Sequence, residues 1–85
     1  MKMGREIHQA YRVNQIDKAK GLFKEYGKVP GIRPDFIDLN NQIIYELKPY
    51  NPRSRKQGLK QLERYEKALK KHGSKGEWKH VLDLY

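Results

Sequence analysis

Cysteine is absent from this 85-residue chain. That excludes a disulfide framework and thiolate metal sites, and leaves the redox compartment open. No apolar run approaches the ~20 residues of a membrane span. Met1-Lys2-Met3-Gly4 leads straight into polar sequence, so no signal peptide is expected and the site of action is expected to be a cytosol. The three histidines, His8, His72 and His80, lack zinc-ligand spacing, which argues against a zinc site. There is no glycine-rich phosphate loop, and neither helical stretch has the context of a helix-turn-helix. Acid is scarce: 10 Asp and Glu face 19 Lys and Arg, for a net charge of +9.

That imbalance favours a polyanionic partner, most simply nucleic acid, although an acidic protein would also be attracted. The length admits one domain, residues 1–85, with a modest core that is marginal unless a partner, a metal or a parent protein helps. Hydrophobic residues at 36% and aromatics at 11% nevertheless make a core affordable.

Periodicity predicts a helix over residues 4–26, with Ile16, Ala19, Phe23 and Tyr26 on one stripe and Gly27 as terminator. A break near Asn14 would give two helices. Gly27 to Pro34 reads as a loop, since Pro30-Gly31 is a turn signal and Pro34 pushes Arg33 toward extended geometry. Asp35 to Leu39 and Gln42 to Lys48 read as strands joined by a tight turn at Asn40-Asn41. Pro49 ends the second strand. A helix follows to about His72, capped by Asn51 with Pro52 at its first position. Its apolar face carries Gly58, Leu62, Tyr65 and Leu69, and Gly73 closes it. Trp78 to Tyr85 reads as a final strand. The expected class is α/β of the mixed α+β kind, ordered helix, strand, strand, helix, strand.

Side chains alternate along a strand, so Glu46 and Lys48 share one face while Ile43, Tyr45 and Leu47 take the other. Charges on a largely apolar strand are costly to bury unless paired or bound to metal. Asp35, at the start of the preceding strand, can approach Glu46 across the sheet. A divalent cation would remove the repulsion between them, and oxygen-only ligation suits Mg²⁺ or Mn²⁺. The chemistry this supports is phosphodiester hydrolysis, with Lys48 positioned to act on the water and on developing charge. The plainer reading makes Asp35 a turn cap and Glu46–Lys48 a surface ion pair.

Pro34-Asp35, a hairpin, Glu46-Leu47-Lys48 and a following helix together resemble the PD-(D/E)xK, restriction-endonuclease-like nucleases. Within them RPDFID, IYELKPYNPRS and QGLKQLERY look most like the toxin domains at the C-termini of bacterial polymorphic and contact-dependent toxins. The resemblance spans essentially the whole chain. It implies a mixed sheet flanked by helices, and metal ligation by Asp35, Glu46 and the Leu47 carbonyl, with Lys48 acting on the water. It implies an added acid from the first helix, for which Glu6 is the candidate; an acid there would also complement the helix dipole. It implies supporting roles for Gln61 and, one turn on, Tyr65, which otherwise read as a flank residue and as core packing. His8, two residues after Glu6 and so on a different face, reads as a surface histidine.

Arg33, Arg53 and Arg55 flank the expected site in sequence and are candidates for substrate phosphates. Arg53, Lys56, Lys60, Arg64, Lys67 and Lys71 form a stripe that could track a phosphate backbone. At 100° per residue it lies nearly opposite Leu62, so it reads equally as a solvated face. The expectation is a Mg²⁺-dependent endonuclease, DNA favoured over RNA, serving as a toxin domain. An acidic immunity protein would be its partner, with a homodimer possible. The alternatives are a non-catalytic nucleic-acid-binding module of the same fold, a stand-alone dimeric nuclease, and a small protein that binds an acidic partner through its stripe.

Overall fold

The computed structural model describes residues 2–85. Helix α1 spans Lys2–Ala10, followed by strands β1 Leu22–Lys24, β2 Phe36–Asp38 and β3 Ile43–Lys48, helix α2 Pro52–Lys71 and strand β4 Lys79–Leu84. The four strands form one mixed sheet in the order β1-β2-β3-β4. β1, β2 and β3 are antiparallel neighbours, while β4 lies parallel to β3 after the crossover through α2.

The expected α+β class holds, but the helix read over 4–26 does not. It stops at Ala10, and residues 13–15 and 18–20 make two short 3-10 turns. Three local features break it. Arg12 sits at φ 52, which ends the right-handed path. The Asp17 side chain accepts a hydrogen bond from the Lys20 N–H at 3.3 Å, the local competition with helix that Asp favours. Gly21 takes φ 75, a conformation glycine tolerates without cost. Leu22–Lys24 then pairs with β2, giving a strand absent from the expected order.

The remaining boundaries lie close to expectation. Asn51 caps α2, its Oδ1 accepting from the Ser54 N–H at 2.8 Å. The hairpin turn is wider than a two-residue one: Asp38 pairs with Ile43, leaving residues 39–42 to turn, and Gln42 rather than an asparagine carries the positive φ. Asp38 holds this turn by accepting from the backbone and side-chain N–H groups of Asn41 at 3.0 and 2.8 Å.

Ile37 and Ile44 are cross-strand neighbours and bury the sheet against Leu62, Tyr65 and Leu69 of α2, with Ile32 and Trp78 closing the core. Gly58 lets α2 lie close to the sheet. A Cβ there would fall 2.6 Å from Leu82 Cδ1 and 3.0 Å from Lys48 Cγ. The sheet's other face carries Tyr45 and Leu47. Here Tyr11 Oη donates to Asp83 at 2.7 Å, and the Arg12 guanidinium stacks 4.1 Å from the centre of the Tyr45 ring. Lys24 Nζ ties down the end of α1 by donating to the carbonyls of His8 and Tyr11.

Candidate active site

Asp35 lies one residue before β2, and by register it faces Glu46 of β3. The two interlock. Glu46 Oε1 accepts from the Asp35 N–H at 3.1 Å, and Asp35 Oδ2 accepts from the Leu47 N–H at 2.8 Å. Each carboxylate is therefore aimed by the other residue's strand. Lys48 Nζ stands 3.8 Å from Glu46 Oε2, on the same face, as alternation along β3 requires.

Burial decides between the two readings of Glu46-x-Lys48. Glu46 is only 2% exposed, so it is not half of a surface ion pair. It lies on the α2 side of the sheet, in line with Ile44. Its pKa is pushed up to about 7, first by loss of hydration and then by the Asp35 charge, against the opposing pull of the Asp35 N–H and of Lys48. A strained carboxyl of this kind, beside a second carboxylate and a lysine, marks a functional site more often than a structural one.

Gln61 and Tyr65 of α2 join the site by a chain of hydrogen bonds. Gln61 Nε2 donates to Tyr65 Oη at 2.6 Å, and Tyr65 Oη donates to the Arg33 carbonyl at 3.1 Å. Tyr65 thus ties α2 to the segment that presents Asp35. Its hydroxyl is held neutral, with a pKa near 12, by burial and then by the Glu46 charge. It serves as core and as site support at once.

The first helix brings a different residue from the one expected. Glu6 is exposed and forms no hydrogen bond or ion pair with Asp35, Glu46 or Lys48. His8 is the residue that reaches the site. Its Nε2 lies 3.1 Å from the Leu47 carbonyl oxygen and 3.8 Å from Asp35 Oδ2, while Nδ1 lies 2.9 Å from the Gly4 carbonyl oxygen. Only a contact across 39 residues of chain places it there, so spacing along the helix held no signal for it. Among the described residues, no three His, Cys, Asp or Glu side chains converge on one point. The donors that do converge are side chains plus the Leu47 backbone oxygen.

The arginines divide. Arg33 and Arg64 line a groove of about 390 Å³ with Gly31, Ile32, Gln61 and Tyr65, directly beside the hydrogen-bond chain just described. Arg55 lines a second cleft with Tyr50, Asn51, Pro52 and Leu84, and Leu84 is the register partner of Lys48. Arg53, Lys56, Lys60, Lys67 and Lys71 are exposed along α2. Arg64, which the stripe placed on the solvated face, is thus also a groove residue.

Neither the curated proteins nor the solved structures compared with this chain include a match. A family model described as restriction endonuclease fold toxin 9 matches residues 1–85. With the mixed sheet, the interlocked Asp35 and Glu46, and Lys48 beside them, that match over the whole chain identifies the protein as a member of the restriction endonuclease fold toxin 9 family.

Proposed function

We propose that the protein is a metal-dependent endonuclease that hydrolyses phosphodiester bonds, DNA before RNA, as the toxin domain of a toxin–immunity pair. One observation carries the reading. A buried Glu46 is held against a second carboxylate, Asp35, at a free-energy cost that structure alone does not require. Two carboxylates and a carbonyl make an all-oxygen donor set, which fits Mg²⁺ or Mn²⁺. Asp35, Glu46 and the Leu47 carbonyl would hold the cation. Bound there, a divalent cation acidifies a water and offsets charge on the attacked phosphate. Lys48 orients that water and offsets charge that develops as the P–O bond breaks. Gln61 and Tyr65 keep the Asp35 segment in register with α2, and Arg33 and Arg64 receive the flanking phosphates. Glu6 stays a candidate for the site only if a movement of α1 brings it inward.

The net charge of +9 supports a nucleic-acid substrate and equally an acidic immunity protein over the same surface. Among the described residues no helix is long and apolar enough to cross a membrane. Action in the cytoplasm of a target cell, delivery by a larger carrier and assembly as a homodimer belong to the same reading.

The test is one gel series: plasmid DNA and structured RNA incubated with the protein in Mg²⁺, in Mn²⁺ and in chelator. Metal-dependent cleavage of DNA is expected. Binding without cleavage under every metal condition would replace the reading with that of a binding module, which the exposed position of Glu6 favours. Cleavage of RNA alone would reverse the substrate.

The groove residues yield a separate prediction. Each phosphate contact released from duplex DNA lowers the slope of log K against log salt by about 0.9. Arg33→Ala with Arg64→Ala should flatten the slope by roughly two contacts' worth, read by fluorescence anisotropy in chelator. Lys56→Ala with Lys71→Ala, on the outer face, should leave the slope unchanged.

A further inference from the structure

We propose that His8 Nε2 is a ligand of the divalent-cation site, making it a mixed nitrogen–oxygen site rather than an all-oxygen one. This rests on the metal-dependent reading above and goes beyond it.

The argument starts from the second ring nitrogen. His8 Nδ1 lies 2.9 Å from the Gly4 carbonyl oxygen, one turn back on α1. A carbonyl only accepts, so Nδ1 carries a hydrogen. In the neutral ring Nε2 then carries a lone pair. That lone pair faces the Leu47 carbonyl oxygen at 3.1 Å and Asp35 Oδ2 at 3.8 Å. Three electron-rich atoms repel unless a positive charge lies between them.

The spacing fits a cation. Donors around an octahedral ion at 2.0–2.1 Å stand about 3 Å apart when adjacent and about 4 Å apart when opposite. The two observed separations fall within that span. Metal-bound imidazoles also commonly donate their other N–H to a backbone carbonyl, which fixes the tautomer and the ring plane. Gly4 supplies that carbonyl here. Tyr85 packs edge-on against the imidazole, centroids 5.8 Å apart, and holds the ring from the side. His8 is also partly open to solvent, so an ion has a way in.

A nitrogen donor changes which cation is preferred. Mg²⁺ favours oxygen and keeps its waters, whereas Mn²⁺ accepts imidazole more readily. The site should therefore prefer Mn²⁺ over Mg²⁺ through His8. The competing arrangement is an imidazolium donating from both nitrogens. His8 would then stand where the cation belongs and compete with it, and the two arrangements predict opposite effects of removing the ring nitrogens.

The test is Mn²⁺ and Mg²⁺ titration of the whole chain by calorimetry, with electron spin-echo spectra of bound Mn²⁺. The variants are His8→Ala, His8→Phe and Asp35→Asn, with thermal melts as a folding control. His8→Phe keeps a ring against Tyr85 and removes both nitrogens. Both His8 variants should bind Mn²⁺ about tenfold or more weakly and lose less for Mg²⁺. Wild-type Mn²⁺ should show imidazole nitrogen modulation that His8→Phe lacks. Unchanged or tighter Mn²⁺ binding in His8→Phe overturns the assignment, and tighter binding identifies the imidazolium. Absence of nitrogen modulation in the wild type overturns it without recourse to any variant. If Asp35→Asn loses Mn²⁺ while His8→Phe does not, the ligand assignment fails and the nuclease reading stands. If the wild type binds neither ion, both fall.

Discussion

Replacing Glu46 with glutamine is expected to abolish cleavage and, at pH 8, to make the protein harder to unfold. The two effects share one cause. Glu46 is buried beside Asp35, and its pKa rises from 4.5 to about 7 on folding. Between those values the folded chain holds a proton that the unfolded chain has released. Stability therefore falls as pH rises through that window, and above it the penalty is complete. A shift of this size corresponds to on the order of 3 kcal/mol. Glutamine keeps an acceptor for the Asp35 N–H and removes the charge. Recovery of about 1–3 kcal/mol at pH 8 should raise the Tm by roughly 4–8 °C per kcal/mol in a domain of this size. The two proteins should converge near pH 4, where Glu46 is protonated in either state. Thermal melts in chelator at pH 4, 6 and 8 measure this. A wild type that gains stability from pH 5 to 8 relative to Glu46→Gln would contradict the buried-carboxylate account. Cleavage should fall by about a thousandfold or more, because a lost ligand forfeits several kcal/mol of charge stabilisation.

Asp35→Asn and Lys48→Met should both remove cleavage and differ in everything else. Asparagine preserves an oxygen for the Leu47 N–H, bonded at 2.8 Å in the wild type, so the fold should hold. Metal binding should be lost with the charge. Lys48→Met keeps the stem packed against Gly58 of α2 and removes the ammonium. Its cost should be about 10²–10⁴ in rate, the range of a positioned group acting on a proton in transit. Metal binding should survive, provided the comparison is made at pH 8. Losing Lys48 removes a charge that holds the Glu46 pKa down, so at pH 7 protons would compete with the ion. Single-turnover cleavage with calorimetric Mn²⁺ binding separates the two variants. Loss of binding in both would mean that Lys48 organises the carboxylates rather than the water.

The contrast between β3 and the first helix shows what was legible in the sequence. Along β3 the alternation of side chains already placed Glu46 with Lys48 and turned Tyr45 and Leu47 away. Asn51, Pro52 and Gly73 bracketed α2 within a residue or two. These are local rules, set by backbone geometry and by the groups a helix end leaves unpaired. The first helix failed because its stripe at i, i+3 and i+7 was taken over Asp17 and Gly21. Both are poor helix-interior residues, and their joint presence was the available signal. The stretch found a better use as the edge strand β1, where pairing with β2 overrides a weak helical pattern.

Sequence by itself determined the types of group at the site, their order along the chain, and the strand and helix that carry Glu46, Lys48, Gln61 and Tyr65. Tertiary structure alone decided their environment. It buried Glu46 and thereby raised its pKa, turned Arg64 into a groove residue, and left Glu6 in water. It also brought His8 across 39 residues to the Leu47 carbonyl. The reason is physical: burial and long-range contact depend on which surfaces meet, and neither the period of a strand nor the pitch of a helix contains that information.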